Sequence, residues 1–88
     1  MTFTIIFDRD WSINYSKMDN QVRLQIAKKL LELREDNKLF RHLHGLPYFV
    51  LEAGQYRVTF VEDNSNMVRT IVFIGDHKEY EKWYSQLF

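Results

Sequence analysis

Three side chains that suit phosphate chemistry lie close together in the second half of the sequence. Arg57 and Arg69 sit in two consecutive runs of β-branched and aromatic residues, and His77 follows the second run. An arginine guanidinium is a planar fork that binds phosphate oxygens, and an imidazole exchanges protons near neutral pH. These residue types indicate a site that binds a phosphate and moves a proton beside it.

The same side chains also have purely structural interpretations. An arginine on a strand often pairs with a carboxylate at a solvated surface, and Glu52 and Glu62 lie close enough in sequence to Arg57 to do so. His77 follows Asp76, which is a good N-cap for a helix. Residue types alone leave both interpretations open.

Size and composition favour one compact domain over residues 1–88. The hydrophobic content of 45% and aromatic content of 16% are enough for a true core, and the chain has no cysteine. No apolar run is long enough to span a bilayer and no signal-peptide pattern begins the chain, so we expect a cytoplasmic protein with no membrane contact. Twelve basic residues balance twelve acidic ones, so any nucleic-acid binding requires clustered cations.

Metal and cofactor sites have little support in the sequence. His42 and His44 lie two residues apart, but no carboxylate follows at the spacing of a metal ligand. These histidines are more typical of a solvated connector, although a phosphate contact or a second acid–base group is an alternative. We predict neither a metal nor a cofactor.

The first half of the chain predicts one strand followed by two helices. Thr2–Phe7 is typical of a strand, and either Asp10 or Ser12 is expected to cap a short helix over residues 11–18. Asp19 is the expected N-cap of a longer helix over Asn20–Asp36. Its core-facing stripe, by helical spacing, consists of Val22, Ile26, Leu30 and Leu33, widened by Leu24 and Leu31.

The second half predicts three strands and a final helix. A polar connector over 37–44 leads to a strand beginning at Tyr48, then to a hairpin over Gln55–Ile74. Alternation puts Tyr56, Val58 and Phe60 against the helices and sends Arg57 to the opposite face. The predicted fold is a small α+β domain, β-α-α-β-β-β-α, with an antiparallel sheet packed on a helical hairpin.

Nearly the whole chain resembles the RelE/ParE toxin superfamily. The resemblance rests on Leu43-His44-Gly45-Leu46, an aromatic strand, a Gly54 turn, Tyr56-Arg57-Val58, and Ile74-Gly75-Asp76-His77, the last in a form similar to HigB-like and YafQ-like branches. It implies a RelE-like fold and the toxin of a type II toxin–antitoxin system. The expected partners are mRNA, the ribosome and a cognate antitoxin in a hetero-oligomer, the antitoxin burying Phe49, Tyr80 or Trp83.

The resemblance also implies an activity and a set of site residues. The expected activity is metal-free mRNA cleavage through attack by the 2′-OH, with Arg57 on the scissile phosphate, His77 protonating the leaving group, and Tyr80 or Tyr84 orienting the RNA. Further RNA contacts are expected from Arg41, His44, Arg69, Lys78, Trp83 and Tyr84.

The second of the family's strands differs from the nuclease pattern. Nuclease members usually carry Lys or Arg there, whereas this chain has Tyr48, Val50 and Glu52. Two other functions are therefore alternatives to the nuclease: a ParE-like DNA gyrase inhibitor, or a catalytically inactive relative that still binds an antitoxin.

Overall fold

A computed structural model describes residues 2–8, 11–35 and 40–88. Within these ranges the sheet has five strands in the order β1-β5-β4-β3-β2. No helix in the described ranges is long and apolar enough to cross a membrane. The elements are β1 (Thr4–Phe7), α1 (Ser12–Tyr15), α2 (Asn20–Leu30), a 3-10 helix (Leu31–Arg34), β2 (Arg41–His42), β3 (Tyr48–Ala53), β4 (Tyr56–Asp63), β5 (Val68–Asp76) and α3 (His77–Ser85).

The predicted α+β architecture is confirmed, and the sheet differs from the prediction in two details. Part of the expected connector forms β2, in which Arg41 pairs with Val50 of β3. β1 runs parallel to β5, so the sheet is mixed rather than wholly antiparallel. The alternation of one strand defines its buried face but not the direction of its neighbour, which is why the sequence did not give this pairing.

The predicted N-cap of α2 is confirmed, whereas the predicted Ser12 cap of α1 is not. The Asp19 carboxylate accepts a hydrogen bond from the Val22 amide at 2.9 Å, which confirms the cap of α2. The helix becomes 3-10 at Leu31, before the predicted end at Asp36, a residue outside the described ranges. The prediction of Ser12 as a cap is wrong, since α1 begins without a side-chain cap; Asp10 also lies outside the described ranges.

The apolar stripe of α2 is narrower than predicted. Ile26 and Leu33 are fully buried, whereas Leu24 and Leu31 are 58% and 62% exposed. Leu24 lies two residues before Ile26, about 200° around the helix, so the two side chains point to opposite sides. The prediction that Leu24 and Leu31 widen the core-facing stripe is therefore wrong.

Both faces of the sheet are covered. The larger core cluster, between the sheet and α2, contains Val58 and Phe60 as predicted. The smaller cluster, between the sheet and α3, is built around Phe73 and Tyr80. Arg57 alternates with Val58 and lies on the α3 side, as the strand pattern predicted. The terminal helix thus covers part of the face on which the site was expected.

A β-bulge in β5 explains how one strand serves both cores. Phe60 pairs with Ile71 and Thr59 pairs with Phe73, which leaves Val72 without a partner on β4. The extra residue reverses the alternation, so Ile71 belongs to the larger cluster and Phe73 to the smaller one. Regular alternation would place Ile71 and Phe73 on one face of the sheet, and the bulge places them on opposite faces.

Arg69 is part of the interior and is 3% exposed. Its Nε donates to Glu62 Oε1 at 2.8 Å, and Nη2 lies 2.8 Å from the same oxygen as an ion pair. Nη1 donates to the carbonyls of Leu33 and Glu35 at 2.6 and 2.9 Å. The guanidinium also lies 3.8 Å from the centroid of the Phe3 ring. The prediction that Arg69 contacts RNA is wrong, because these groups enclose its side chain on the α2 side of the sheet.

We predict that Arg69→Ala strongly destabilises the protein. The substitution leaves the Glu62 carboxylate buried without its partner, at a cost of about 3–5 kcal/mol in the free energy of unfolding. Arg69→Lys, which keeps the charge but not the fork, should lose less. Urea unfolding followed by circular dichroism measures both changes.

The matched control is Arg41→Ala. Arg41 pairs with Glu52 at 3.7 Å, and both side chains are more than half exposed, so the expected loss is below about 1 kcal/mol. Equal losses for the two alanine variants would show that the burial of Arg69 does not determine its contribution.

Candidate functional site

A cavity of about 400 Å³ opens beside α3 on the face opposite α2. It brings together residues that are far apart in sequence, from β2, the loop after it, the start of β4, and α3. Its lining consists of Arg41, His42, Leu43, His44, Arg57, His77, Tyr80, Glu81 and Tyr84.

The start of α3 determines which side chains reach the cavity. The Asp76 carboxylate accepts from the Glu79 amide, and the Glu79 carboxylate accepts from the Asp76 amide, each at 2.8 Å. This capping box begins the helix at His77. Positions i, i+3, i+4 and i+7 of a helix share one face, and from His77 they are the four α3 residues that line the cavity.

The close packing of α3 on the sheet requires a residue without a side chain just before the cap. A Cβ added at Gly75 would lie 2.6 Å from Phe73 Cζ and 3.0 Å from Glu79 Cβ. Such contacts are too short, so a larger residue would push the first turn of α3 away from the sheet.

Arg57 is half-buried, and hydrogen bonds from one of its guanidinium nitrogens hold the side chain in place. Nη1 donates to the carbonyl oxygens of Gly54 and Tyr56 at 2.9 and 3.0 Å. Within the described ranges, Nε and Nη2 make no such bond. These two nitrogens form the edge of the fork that binds a phosphate or carboxylate with two parallel hydrogen bonds.

Tyr80 is buried to 8% exposure between the sheet and the cavity. Burial raises the pKa of its phenol above the usual 10.0, and the nearby Tyr84 adds to this, while the positive charges of Arg41 and Arg57 oppose it. The phenol therefore carries its proton at neutral pH and is available as a hydrogen-bond donor beside two cations.

His77 lies at the rim of the cavity and is paired. Its Nε2 is 3.0 Å from Glu81 Oε1, one helical turn further along α3, and both side chains are exposed. The imidazole and the Arg57 guanidinium line the same side of the sheet. The cavity thus combines groups that bind a phosphate with one that transfers protons.

The structure brings some of the other predicted site residues to the cavity and places others outside it. Arg41, His44 and Tyr84 line the cavity together with Arg57, His77 and Tyr80, and their roles stay predictions. Lys78 is exposed but does not line the cavity. Trp83 packs against Tyr48 and Phe73 and lines a separate cavity on the other flank of α3, so it lies outside the predicted RNA site.

Two polar residues that line the cavity, Glu81 and His42, were not among the predicted site residues. Glu81 follows His77 by four positions on a predicted helix, and that spacing was the signal that it shares a face with the histidine. His42 was assigned to a connector, but it lies on β2 and its ring is 4.7 Å from that of Phe49. The described residues contain no group of side chains suited to hold a metal ion.

Comparison with known proteins identifies the fold. No protein-family model and no curated protein sequence matches the chain. Among solved structures, a chain of the intact E. coli RelBE toxin–antitoxin complex is 25% identical, with a TM-score of 0.69 and coverage of 86% of this chain and 96% of that one. The isolated E. coli RelE toxin is 21% identical, with a TM-score of 0.71 and full coverage of both chains.

A more distant neighbour has the same fold. The RelBE2 toxin–antitoxin complex from Mycobacterium tuberculosis contains a chain that is 12% identical, with a TM-score of 0.73 and coverage of 86% of this chain and 99% of that one. The chain therefore has a RelE-like fold, which confirms the predicted fold class.

The environment of Tyr80 predicts a pH dependence of stability. Because folding raises the pKa of this phenol, its contribution to stability is complete below the unfolded value and is lost as the pH rises through the folded value. Between about pH 9 and about pH 11, the free energy of unfolding of the wild-type protein should fall more steeply than that of Tyr80→Phe. Urea unfolding at both pH values measures the slopes, and equal slopes would contradict the assignment.

Proposed function

We propose that this chain, whose structural neighbours support the RelE/ParE-like toxin superfamily, is the toxin of a toxin–antitoxin system. The finer proposal is that it is an mRNA endoribonuclease acting on ribosome-associated messages. The observation that carries it is one cavity lined by Arg57, His77 and Tyr80, which suit the binding and cleavage of a phosphodiester.

The proposed reaction is an internal transfer at phosphorus. The ribose 2′-hydroxyl gives its proton to solvent water, its oxygen attacks the adjacent phosphorus, and the bond to the 5′-oxygen of the next nucleotide breaks. A 2′,3′-cyclic phosphate and a 5′-hydroxyl result. The reaction requires stabilisation of the added negative charge on phosphorus and a proton for the departing oxygen.

The cavity provides groups for both requirements. Arg57 presents Nε and Nη2 to the phosphate oxygens, and the neutral Tyr80 hydroxyl offers a further donor. His77, protonated, gives its proton to the 5′-oxygen. Tyr84 lies at the same wall and is the stacking partner for a flanking base.

Arg41 compensates for the cations absent from the aromatic strand β3. In the sheet register it lies directly opposite Val50, one of the β3 positions where nuclease relatives usually carry a basic residue. Because β2 is the edge strand next to β3, its Arg41 brings a guanidinium to the same cavity. This placement favours the nuclease over the gyrase inhibitor and the inactive relative.

A cognate antitoxin is the proposed protein partner, since the E. coli and M. tuberculosis neighbours are toxin–antitoxin complexes. Phe49 and Trp83 are half-buried and have surface left for such a partner. Tyr80 was also expected to be covered by the antitoxin, but the chain itself buries this residue to 8% exposure.

The decisive variants are Arg57→Ala and His77→Ala. Without an antitoxin, we expect the wild-type protein to arrest growth and both variants to lose the effect, with cleavage reduced roughly 100-fold or more. The measurements are growth after induction and mapping of mRNA 5′ ends. Thermal melting shows that the variants are folded.

Arg34→Ala is the matched control, because Arg34 is an exposed arginine on the 3-10 helix away from the cavity. It should arrest growth as the wild type does. If Arg57→Ala and His77→Ala also stay fully toxic, the assignment of the cavity as the active site is wrong.

The rival functions have different signatures. A gyrase inhibitor would block thymidine incorporation before methionine incorporation, whereas an mRNA endonuclease blocks methionine incorporation first. An inactive relative would bind an antitoxin without arresting growth. Labelled uptake of both precursors after induction separates the three.

A further inference from the structure

Among the described residues that line the cavity, one carries a carboxylate. Glu81 lines it together with Arg41 and Arg57, and its Oε1 lies 3.0 Å from Nε2 of His77. A negative charge beside a phosphate site repels the phosphate, so it weakens substrate binding unless its charge is used in another way. The proposed cleavage reaction assigns no role to Glu81.

The positions of the two side chains follow from the helix that carries them. His77 and Glu81 are four residues apart on α3, where side chains one turn apart meet. Between them Tyr80 is anchored in the smaller core, and the capping box fixes the first turn. The buried Tyr80 and the capping box therefore fix the first two turns of α3, which hold both side chains at the cavity.

We propose that Glu81 is a positioning residue for His77. Its carboxylate accepts a hydrogen bond from Nε2, which orients the ring and leaves Nδ1 as the nitrogen that meets the RNA. The inference rests on the proposed nuclease function and deepens it by assigning the residue that orients its acid. When RNA covers the rim, water is excluded from the pair and the interaction strengthens.

The proposed role predicts opposite effects of one substitution on RNA binding and on RNA cleavage. Removing the negative charge lowers repulsion of the phosphate, so RNA should bind more tightly. Replacing the charged carboxylate with a neutral acceptor weakens the hydrogen bond that orients His77, so cleavage should be slower. A residue that only stabilises the fold would change both properties in the same direction or neither.

The test uses Glu81→Gln, which keeps the shape and removes the charge. Binding is measured by fluorescence anisotropy with a short RNA carrying a 2′-deoxyribose at the cleavage position, which prevents the reaction. Single-turnover cleavage of the all-ribose RNA is measured at saturating protein, with and without ribosomes. Glu81→Gln should bind about two- to fivefold more tightly and cleave roughly tenfold more slowly.

Two further variants sharpen the result. Glu81→Asp keeps the charge on a shorter side chain and should restore part of the cleavage rate. Glu32→Gln is the matched control, because Glu32 is another helical carboxylate, 3.0 Å from the ammonium of Lys29 and away from the cavity. It should bind and cleave as the wild-type protein does.

The outcomes separate the two levels of the proposal. If the wild-type protein cleaves RNA and Glu81→Gln cleaves it equally fast, the positioning role is overturned while the nuclease function stands. The role is also overturned if Glu81→Gln loses binding and cleavage together. If the wild-type protein cleaves no RNA under either condition, the nuclease function falls and the inference falls with it.

Discussion

The buried guanidinium of Arg69 connects β5 with three other parts of the chain. It joins β5 to Glu62 on β4, to the carbonyls of Leu33 and Glu35 after α2, and to the ring of Phe3 at the start of the chain. A fork with five donors can satisfy a carboxylate and two carbonyls at once, whereas an ammonium group cannot match this geometry. The α2 side of the sheet is thereby fixed, and the opposite side is left for α3.

The cavity depends on β5 contributing side chains to the cores on both faces of the sheet. The bulge at Val72 turns Phe73 toward α3, and Phe73 supplies the surface on which Tyr80 packs. Without that reversal, the helix would meet a sheet face with a gap where the ring now lies, and the cap at Asp76 would start it in a different place. The cavity is therefore a consequence of one extra residue in a strand.

The sequence predicted the features that follow from local periodicity. The cap at Asp19 and the placement of Arg57 opposite Val58 depend on neighbours in sequence, and both were correct. The burial of Arg69 was not predictable, because its partners Leu33 and Glu35 are more than thirty residues away. A bulge has no residue signature in this strand, so alternation alone does not assign the faces of the residues beyond it.

Net charge is a poor guide to this kind of site, since a charge acts mainly over distances within about 10 Å. The whole chain is neutral, yet Arg41 and Arg57 line a single cavity together with two tyrosines and three histidines. Arg41 reaches it from β2 rather than from the neighbouring strand β3. An edge strand can therefore supply a cation to the cavity, because the electrostatic potential there depends on the position of the guanidinium and not on the strand that carries it. The relevant comparison with other members of the fold is the set of charges around the cavity, and not the residue at any one place along the chain.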